Sequence, residues 1–174
     1  MADVSYKKYQ TFSQRLGAAI LDGIIFIPIV LLGTAVFGPD EQRSITWLLL
    51  QNAIYFTYSI IGHHKYGQTL GKKWMYVKVV QDADETKLLS LVQAVKRDII
   101  GILFVALEFF VLAFGDSESY IGDFIIGFSS FVWLTAELVT MLFNPKRRSV
   151  HDYIAGAVCI DVTKPTEWER SVGL

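Results

Sequence analysis

Three acidic residues, Asp22, Glu108 and Glu137, each lie inside a long apolar stretch that contains no lysine or arginine. A charged group placed in hydrocarbon is unfavourable by about 2.5–3.5 kcal/mol on insertion scales, so such groups usually face other helices or water. Desolvation favours the protonated form of a carboxyl group, whereas a nearby cation favours the ionised form. Acids at these positions are therefore suited to bind a proton or a monovalent cation.

Polar side chains on the second apolar stretch extend this candidate site. Asn52 offers an amide oxygen, and His63 and His64 stand where that stretch ends. Histidine titrates near neutral pH and can relay protons. A structural explanation is also open, because a protonated acid can join two helices by a hydrogen bond of about 1 kcal/mol. In that case the histidines simply lie at the membrane interface. The residue pattern is compatible with both the ion-binding and the structural explanation.

Four apolar stretches position these residues, at about 16–37, 45–62, 99–114 and 120–143. An α-helix rises about 1.5 Å per residue, so about 20 residues cross a hydrocarbon core of about 30 Å. Four such helices in a soluble domain of 174 residues would lack enough polar chain to cover them. The sequence therefore predicts an all-α membrane protein with four transmembrane helices. The first is expected to be an uncleaved helix, because its apolar stretch is longer than that of a signal peptide.

The basic residues indicate the orientation. Fifteen of the sixteen lysines and arginines fall before residue 16, in the 63–98 connection, or after residue 143. Short cytoplasmic loops are enriched in such residues. This predicts a multi-pass protein of the cell inner or cytoplasmic membrane, with both termini in the cytoplasm. Residues 1–162 form a single membrane domain, and 163–174 form a cytoplasmic tail. The net charge of −1 gives no indication of nucleic acid binding.

The cytoplasmic connection begins with Gly-Gln-Thr-Leu-Gly-Lys-Lys at residues 67–73. It lacks the four residues between glycine and Gly-Lys that a Walker A phosphate loop requires. The two glycines permit tight backbone geometry, and Thr69 can cap the turn that follows. The two lysines can reach lipid headgroups or pair with an acid. The segment is either a device at the membrane surface or a basic turn that only sets the topology.

Further along, the chain predicts a small cytoplasmic sheet. Residues 74–80 are rich in β-branched and aromatic side chains, and 81–85 form a polar turn. Residues 86–89 can return as the second strand of a β-hairpin. A lone hairpin is marginally stable, so residues 157–162 are expected to supply a third strand.

Two short signals mark helices beside this sheet. Ser90 is a candidate N-cap for a helix whose apolar residues between 91 and 99 share one face. Ser149 can cap a short helix that Gly156 ends. The predicted cytoplasmic unit is therefore a β-hairpin with short helical elements.

Three signatures in the sequence resemble the RDD family of small membrane proteins, which is named for an arginine and two aspartates. Arg15 is followed by Asp22 seven residues later, residues 67–73 follow the second stretch, and a basic segment carries His151 and Asp152. They occur in the family's order, over about residues 9–162. The matching family residues are Arg15, Asp22, Gly67, Gln68, Thr69, Gly71, Lys72, His151 and Asp152.

The resemblance implies the architecture more strongly than the activity. Family members often have three spans, so the stretch 120–143 goes beyond that pattern. Some members are proposed to be sodium–proton antiporters, and others accompany membrane-associated complexes. Either role is compatible with the residues of this chain.

The basic and acidic residues at one membrane face suggest a polar cluster. Arg15 and Asp22 lie about 10 Å apart along a straight helix, so each needs another partner. Arg148 and Asp152 are spaced as an i, i+4 pair. The hypothesis is that these four residues dock the cytoplasmic unit on the membrane helices.

The leading functional prediction is proton-coupled transport of a monovalent cation that uses Asp22, Glu108 and Glu137. The alternative is a non-catalytic membrane scaffold or assembly partner that acts through its cytoplasmic surface. The sequence contains no serine–histidine–acid or metal-ligand pattern, so neither an enzyme nor a metal or cofactor is predicted. The predicted partners are the lipid bilayer, a proton or monovalent cation, and further copies of the chain in a homo-oligomer.

Overall fold

A computed structural model describes residues 7–38, 44–114 and 120–163. The predicted tail, apart from residue 163, lies outside the described residues, as do the loop residues 39–43 and 115–119. The described chain is mostly helical, with a small sheet near the ends of the helices.

Four long helices account for the four apolar stretches. Helix α1 is Phe12–Phe37, α2 is Ile45–Ile61, α4 is Leu91–Phe114 and α5 is Tyr120–Phe143. A π-helical turn, Gly62–Tyr66, continues α2, and α3 is the short helix Leu70–Trp74. Helix α6 is Val150–Ala155. By length and apolar composition, Phe12–Phe37 and Phe124–Phe143 are candidate membrane spans.

The sheet consists of two strands that are far apart in sequence. Strand β1, Val77–Gln81, pairs with β2, Ala157–Asp161, in an antiparallel ladder. Val77 lies opposite Asp161 and Gln81 lies opposite Ala157. The predicted strand near the C-terminus is therefore confirmed, and it is the direct partner of β1.

The predicted hairpin between residues 74–80 and 86–89 is wrong. The Asp84 carboxylate accepts hydrogen bonds from the Thr86 N–H and hydroxyl, which closes a turn and leaves 86–89 without strand geometry. Leu89 instead packs beside Val77, Val79 and Cys159 in a buried apolar cluster. The apolar residues of 86–89 were a signal for burial rather than for strand pairing.

The start of β1 also differs from the prediction. Trp74 ends helix α3, and Tyr76 has a positive φ of 56°, so the strand begins only at Val77. The backbone reverses here because α3 packs against α1 while β1 turns away to meet β2. Aromatic residues at 74 and 76 therefore belong to a turn, where both side chains are exposed.

The capping signals are confirmed. The Ser90 hydroxyl accepts a hydrogen bond from the Gln93 N–H at 3.2 Å, and the Gln93 side chain accepts from the Ser90 N–H at 3.0 Å. This reciprocal arrangement fixes the start of α4. Ser149 precedes α6, and Gly156 ends it in a left-handed conformation.

The packing of these elements brings one end of the helices together. Helix α1 contacts α3, α2 contacts α4, and α4 contacts α6. The face of α4 that turns inward carries Ala94 and Arg97, whereas Leu91 and Val92 are more than half exposed. The predicted apolar face of this helix therefore points outward, and a charged residue lies on its buried side.

Candidate functional site

The centre of this end of the molecule is the carboxylate of Asp152, which is completely buried. Arg15 from α1 approaches it at 2.8 Å and Arg97 from α4 at 3.1 Å. The backbone N–H and the hydroxyl of Ser149 donate to the same carboxylate at 3.1 and 2.9 Å. Asp152 thus joins the C-terminal segment to two separate long helices.

Arg97 distributes its guanidinium over three acceptors. Its Nε donates to Asp152 Oδ1 at 3.1 Å, its Nη1 to His63 Nε2 at 2.8 Å and its Nη2 to His151 Nε2 at 2.8 Å. A guanidinium only donates hydrogen bonds, so both histidine Nε2 atoms must act as acceptors. Each imidazole is therefore neutral, with its hydrogen on Nδ1.

The two Nδ1 atoms have matching acceptors. His151 Nδ1 lies 2.7 Å from Glu137 Oε2, and the backbone N–H of His151 donates to Glu137 Oε1 at 3.0 Å. His63 Nδ1 lies 3.3 Å from the Ser59 hydroxyl. The hydrogen-bond network therefore runs without a break from α5 through α6 and α4 to α2.

The charges in this network favour its ionisation pattern. Burial opposes the charge on Asp152, but the guanidinium groups of Arg15 and Arg97 outweigh it and hold the pKa of the carboxyl well below its ordinary value. Burial and the nearby Arg97 lower the pKa of His63 well below its ordinary value. The same two causes lower the pKa of His151. Arg15 and Arg97 thus contact the Asp152 carboxylate directly, and neutral His151 connects Arg97 to the Glu137 carboxylate.

Asp22 lies in a separate arrangement that uses no cation. Its carboxylate accepts hydrogen bonds from the Tyr58 hydroxyl at 2.6 Å, the Thr69 hydroxyl at 2.6 Å and the Gly71 N–H at 2.8 Å. The Tyr58 hydroxyl in turn accepts from the Leu70 N–H at 2.8 Å. Asp22 therefore holds the first turn of α3 against α1 and α2.

This contact explains the residues of the 67–73 segment. Thr69 is the N-cap of α3, and its hydroxyl also lies 3.4 Å from the Lys72 N–H. A Cβ added at Gly71 would collide with the carbonyl oxygen of Ala18 and lie 2.8 Å from the Asp22 carboxyl carbon. Gly67 has a φ of 71°, which favours glycine, and its carbonyl accepts from the Val79 N–H. The 67–73 segment therefore packs tightly against helix α1 on one side and bonds to strand β1 on the other.

A cavity of about 360 Å³ lies between these two arrangements and is named the polar cavity for the ionisable residues among its mostly apolar lining. The chemically relevant residues of its lining are Asp22, His63, Lys72, Arg97, Asp98 and Glu137. Asp98 Oδ2 is buried and has no hydrogen-bond partner among the described residues. Lys72 is half-buried, and burial together with Arg97 lowers its pKa to about 8. The cavity therefore contains exchangeable protons and an unsaturated carboxylate oxygen.

The structure brings some predicted site residues together and separates others. Asp22, Glu137 and His63 line the cavity, whereas Glu108, Asn52 and His64 are not among the described residues of its lining. Asn52 donates to the Leu48 carbonyl of its own helix at 2.9 Å. His64 Nδ1 lies 2.9 Å from the Leu89 carbonyl and holds the chain before α4.

The four residues of the predicted polar cluster are likewise divided. Arg15 and Asp152 are in direct contact, but Asp22 belongs to the support of α3. Arg148 pairs with Asp82 at 2.8 Å and reaches only the backbone carbonyl of Asp152, at 3.3 Å. The carboxylate of Asp152 is turned away from Arg148 because Arg15 and Arg97 occupy it.

Sequence reasoning missed Arg97 and Asp98. Both were counted as part of a basic cytoplasmic connection, yet Arg97 is only 6% exposed. The available signal was their position, since an Arg-Asp pair directly before an apolar stretch lies at the depth where a membrane helix begins. The partners of Arg97 are residues more than 30 positions away, which no local pattern indicates.

A model of the RDD family matches residues 9–156 of the chain. The match covers the arginine of α1, the 67–73 segment and the aspartate of α6, which are the residues that form the two arrangements described above. No curated protein and no solved structure gave a match.

Proposed function

The chain belongs to the RDD family, and from this premise we propose that it is a multi-pass protein of the cell inner or cytoplasmic membrane. In this proposal all four long helices cross the bilayer, and both termini lie in the cytoplasm. The proposal adds α2 and α4 to the two candidate spans, Phe12–Phe37 and Phe124–Phe143. Helix α2 has 17 residues without a charge, and α4 is apolar from Ile99 onward apart from Glu108.

The orientation in this proposal is supported by charge. The polar network and the sheet lie at the end of the helices that carries the lysines and arginines of the described residues. The positive-inside tendency assigns that end to the cytoplasm. Exposed Trp74, Tyr66 and Tyr153 at the same end suit the interfacial zone of a bilayer.

We further propose that the protein moves a proton or a monovalent cation through the polar cavity. The observation that carries this proposal is Asp98, which lines a cavity together with Asp22 and Glu137 and whose buried Oδ2 has no hydrogen-bond partner among the described residues. A carboxylate oxygen of this kind can bind a monovalent cation. Competition between a cation at Asp98 and the proton of Lys72, which lines the same cavity, is the simplest basis for coupled exchange.

The neighbouring groups support such an exchange. Lys72, with a pKa lowered to about 8, can accept or release a proton near physiological pH. Neutral His63 and His151 extend hydrogen bonds from the cavity to Glu137. A single bundle of four helices leaves little room for a complete pathway, so the proposal favours a homo-oligomer.

The second candidate is a membrane scaffold or assembly partner. It is favoured by the ion pairs of Asp152 with Arg15 and Arg97, which leave neither carboxylate oxygen without a partner. These ion pairs hold the cytoplasmic unit against α1 and α4 as a rigid platform. A platform of this kind requires no movement of the buried charges. The two candidates differ in whether the unsaturated Asp98 has any effect on ion movement.

Proton movement in proteoliposomes after pulses of sodium or potassium tests the transport proposal. The wild type is compared with Asp98→Asn, and Glu108→Gln is the matched control because Glu108 is not among the described cavity residues. We expect cation-dependent proton flux in the wild type and in Glu108→Gln, and its loss in Asp98→Asn. Absence of flux in well-folded wild type would reject transport and favour the scaffold.

A further inference from the structure

An apolar groove lies on the outside of the molecule, apart from the polar cavity. It has a volume of about 620 Å³ and runs along α2 to the start of α3. The groove is open where the small residues Ala53, Thr57 and Gly62 line it. Ile54 and Leu70 form its borders and are 39% and 47% exposed. The groove is therefore open to the surroundings of the helices.

The length of the groove matches one leaflet of a bilayer. From Ala53 to Gly62 the helix advances about 14 Å, which is close to half of a hydrocarbon core of about 30 Å. This portion of α2 is the half that leads to the cytoplasmic connection. A straight apolar chain of one leaflet would lie along it.

Basic residues stand at the cytoplasmic end of the groove. Lys65 precedes Tyr66 of the lining, and Lys73 lies three residues after Leu70, which places it beside Leu70 on α3. Both lysines are exposed, and neither ammonium group has a hydrogen bond or ion pair to another residue in the described ranges. The apolar groove and the lysines at its end thus complement a phospholipid with an apolar acyl chain and an anionic headgroup.

We infer that this groove holds one acyl chain of an anionic phospholipid from the cytoplasmic leaflet, with the lipid phosphate at Lys65 and Lys73. The inference rests on the proposed membrane placement and does not depend on transport. Because the groove borders Tyr58 and Thr69, which both donate to Asp22, the lipid would pack against the support of α3. Lipid occupancy would therefore stabilise the wall that the groove shares with the polar cavity.

Native mass spectrometry of the full chain in detergent tests the inference. The protein is offered equal amounts of phosphatidylglycerol and phosphatidylcholine with the same acyl chains. We expect one phosphatidylglycerol per chain to be retained, with a preference on the order of tenfold, because each lysine near a lipid surface attracts anionic lipid. The double variant Lys65→Gln with Lys73→Gln should lose this preference.

Two further variants separate charge from shape. Lys96→Gln removes an exposed lysine at the start of α4 and should keep the preference. Ala53→Leu with Thr57→Leu fills the groove and should lower retention of both lipids. Equal retention of the two lipids by the wild type, or an unchanged preference in the double lysine variant, would overturn the inference. A dimer in place of the lipid adduct would assign the groove to a second copy and overturn it as well.

The result is separable from the transport test. Selective lipid retention without any proton flux would support the lipid-binding inference and reject transport. Proton flux without lipid selectivity would reject the lipid-binding inference and support transport. A wild-type chain that stays in aqueous solution without detergent would reject the membrane placement on which the inference rests.

Discussion

Asp152 and Asp98 lie in the same polar region but differ in whether their carboxylate oxygens have partners. Asp152 is completely buried, and both of its oxygens are held by Arg15, Arg97 and Ser149. Asp98 lies next to Arg97 in sequence, yet its Oδ2 is buried without a partner in the described part of the chain. The fold supplies partners for both oxygens of Asp152, whereas one oxygen of Asp98 has none among the described residues.

The difference shows that a charged residue in this region is not by itself evidence of function. Removing one member of a buried ion pair leaves an uncompensated charge, so a saturated carboxylate contributes mainly to structure. An unsaturated buried oxygen is unfavourable for folding and is more readily explained by a ligand or proton. Asp22 lies between the two cases, because its oxygens are saturated by neutral donors only.

The largest expected effect is that of Asp152→Asn. The substitution removes the shared charge and leaves Arg15 and Arg97 facing each other, which should lower the free energy of unfolding by about 3–5 kcal/mol. Reversible denaturation of detergent-solubilised protein measures this change. Asp98→Asn is the control and should retain wild-type stability or gain slightly. If the two variants lost equal stability, the distinction between the two aspartates would be incorrect.

A smaller loss is expected for Asp22→Asn. The amide offers only one acceptor oxygen to three donors, so at least one of Tyr58, Thr69 and Gly71 loses its partner, at about 1–3 kcal/mol. The effect should be local, because α3 would detach from α1 while the Asp152 contacts remain. Limited proteolysis between residues 67 and 76 measures it. Unchanged cleavage there, with wild-type stability, would refute the role of Asp22 as the support of α3.

The neutral histidines predict a pH dependence. The folded-state pKa of His63 lies well below its ordinary value of 6.5, so acidification through that value favours the unfolded state, which binds the extra proton. The pKa of His151 is lowered as well, so each histidine should reduce stability below about pH 6.5, by on the order of 1 kcal/mol per pH unit. The depressed pKa of Asp152 adds a further loss only below about pH 4.

His63→Gln separates these two losses. The glutamine can accept from Arg97 and donate to Ser59 but does not titrate, so the pH dependence between 6.5 and 5 should become flatter. Thermal unfolding over a pH series measures this. The loss below pH 4 should remain, because Asp152 is unchanged. An identical curve for wild type and variant would show that His63 is not held neutral.

The smallest effect is expected at the exposed pair of Lys87 and Asp84. Their nitrogen and oxygen lie 2.8 Å apart, but the lysine side chain is 67% exposed, so water and salt screen the attraction. Lys87→Ala should leave the thermal midpoint unchanged at all salt concentrations. A marked loss would indicate that surface charge, and not the buried Asp152, holds the cytoplasmic unit together.

The parts that sequence reasoning could predict are those set by local chemistry. Ser90 begins a helix because its hydroxyl accepts from the backbone N–H of Gln93, and at Ser149 the Asp152 carboxylate accepts from the backbone N–H of the capping residue. The strand at 157–161 was visible as a short apolar run after Gly156. The four long helices followed from apolar length, and their bounds differ from expectation mainly where polar residues extend them.

The missed parts depend on contacts between distant residues. Strand β1 pairs with β2 and not with the nearby 86–89 segment, because this pairing buries Val158 and Cys159 completely. Arg97 looked like one more basic loop residue, since its partners His63, His151 and Asp152 come from two other segments. A single sequence carries no record of such proximity, so charge pairing across helices could not be assigned.

Proton release on cation binding is the most direct test of the central claim that Asp98 is available for exchange. Sodium or potassium chloride is added to weakly buffered, detergent-solubilised protein near pH 7, with choline chloride as the control for ionic strength. A cation bound at the Asp98 carboxylate would disfavour the proton on Lys72, which lines the same cavity and has a pKa lowered to about 8. The account therefore predicts proton release in the wild type and in Glu108→Gln, and none in Asp98→Asn. Equal release in Asp98→Asn, or no release in folded wild type, would contradict it.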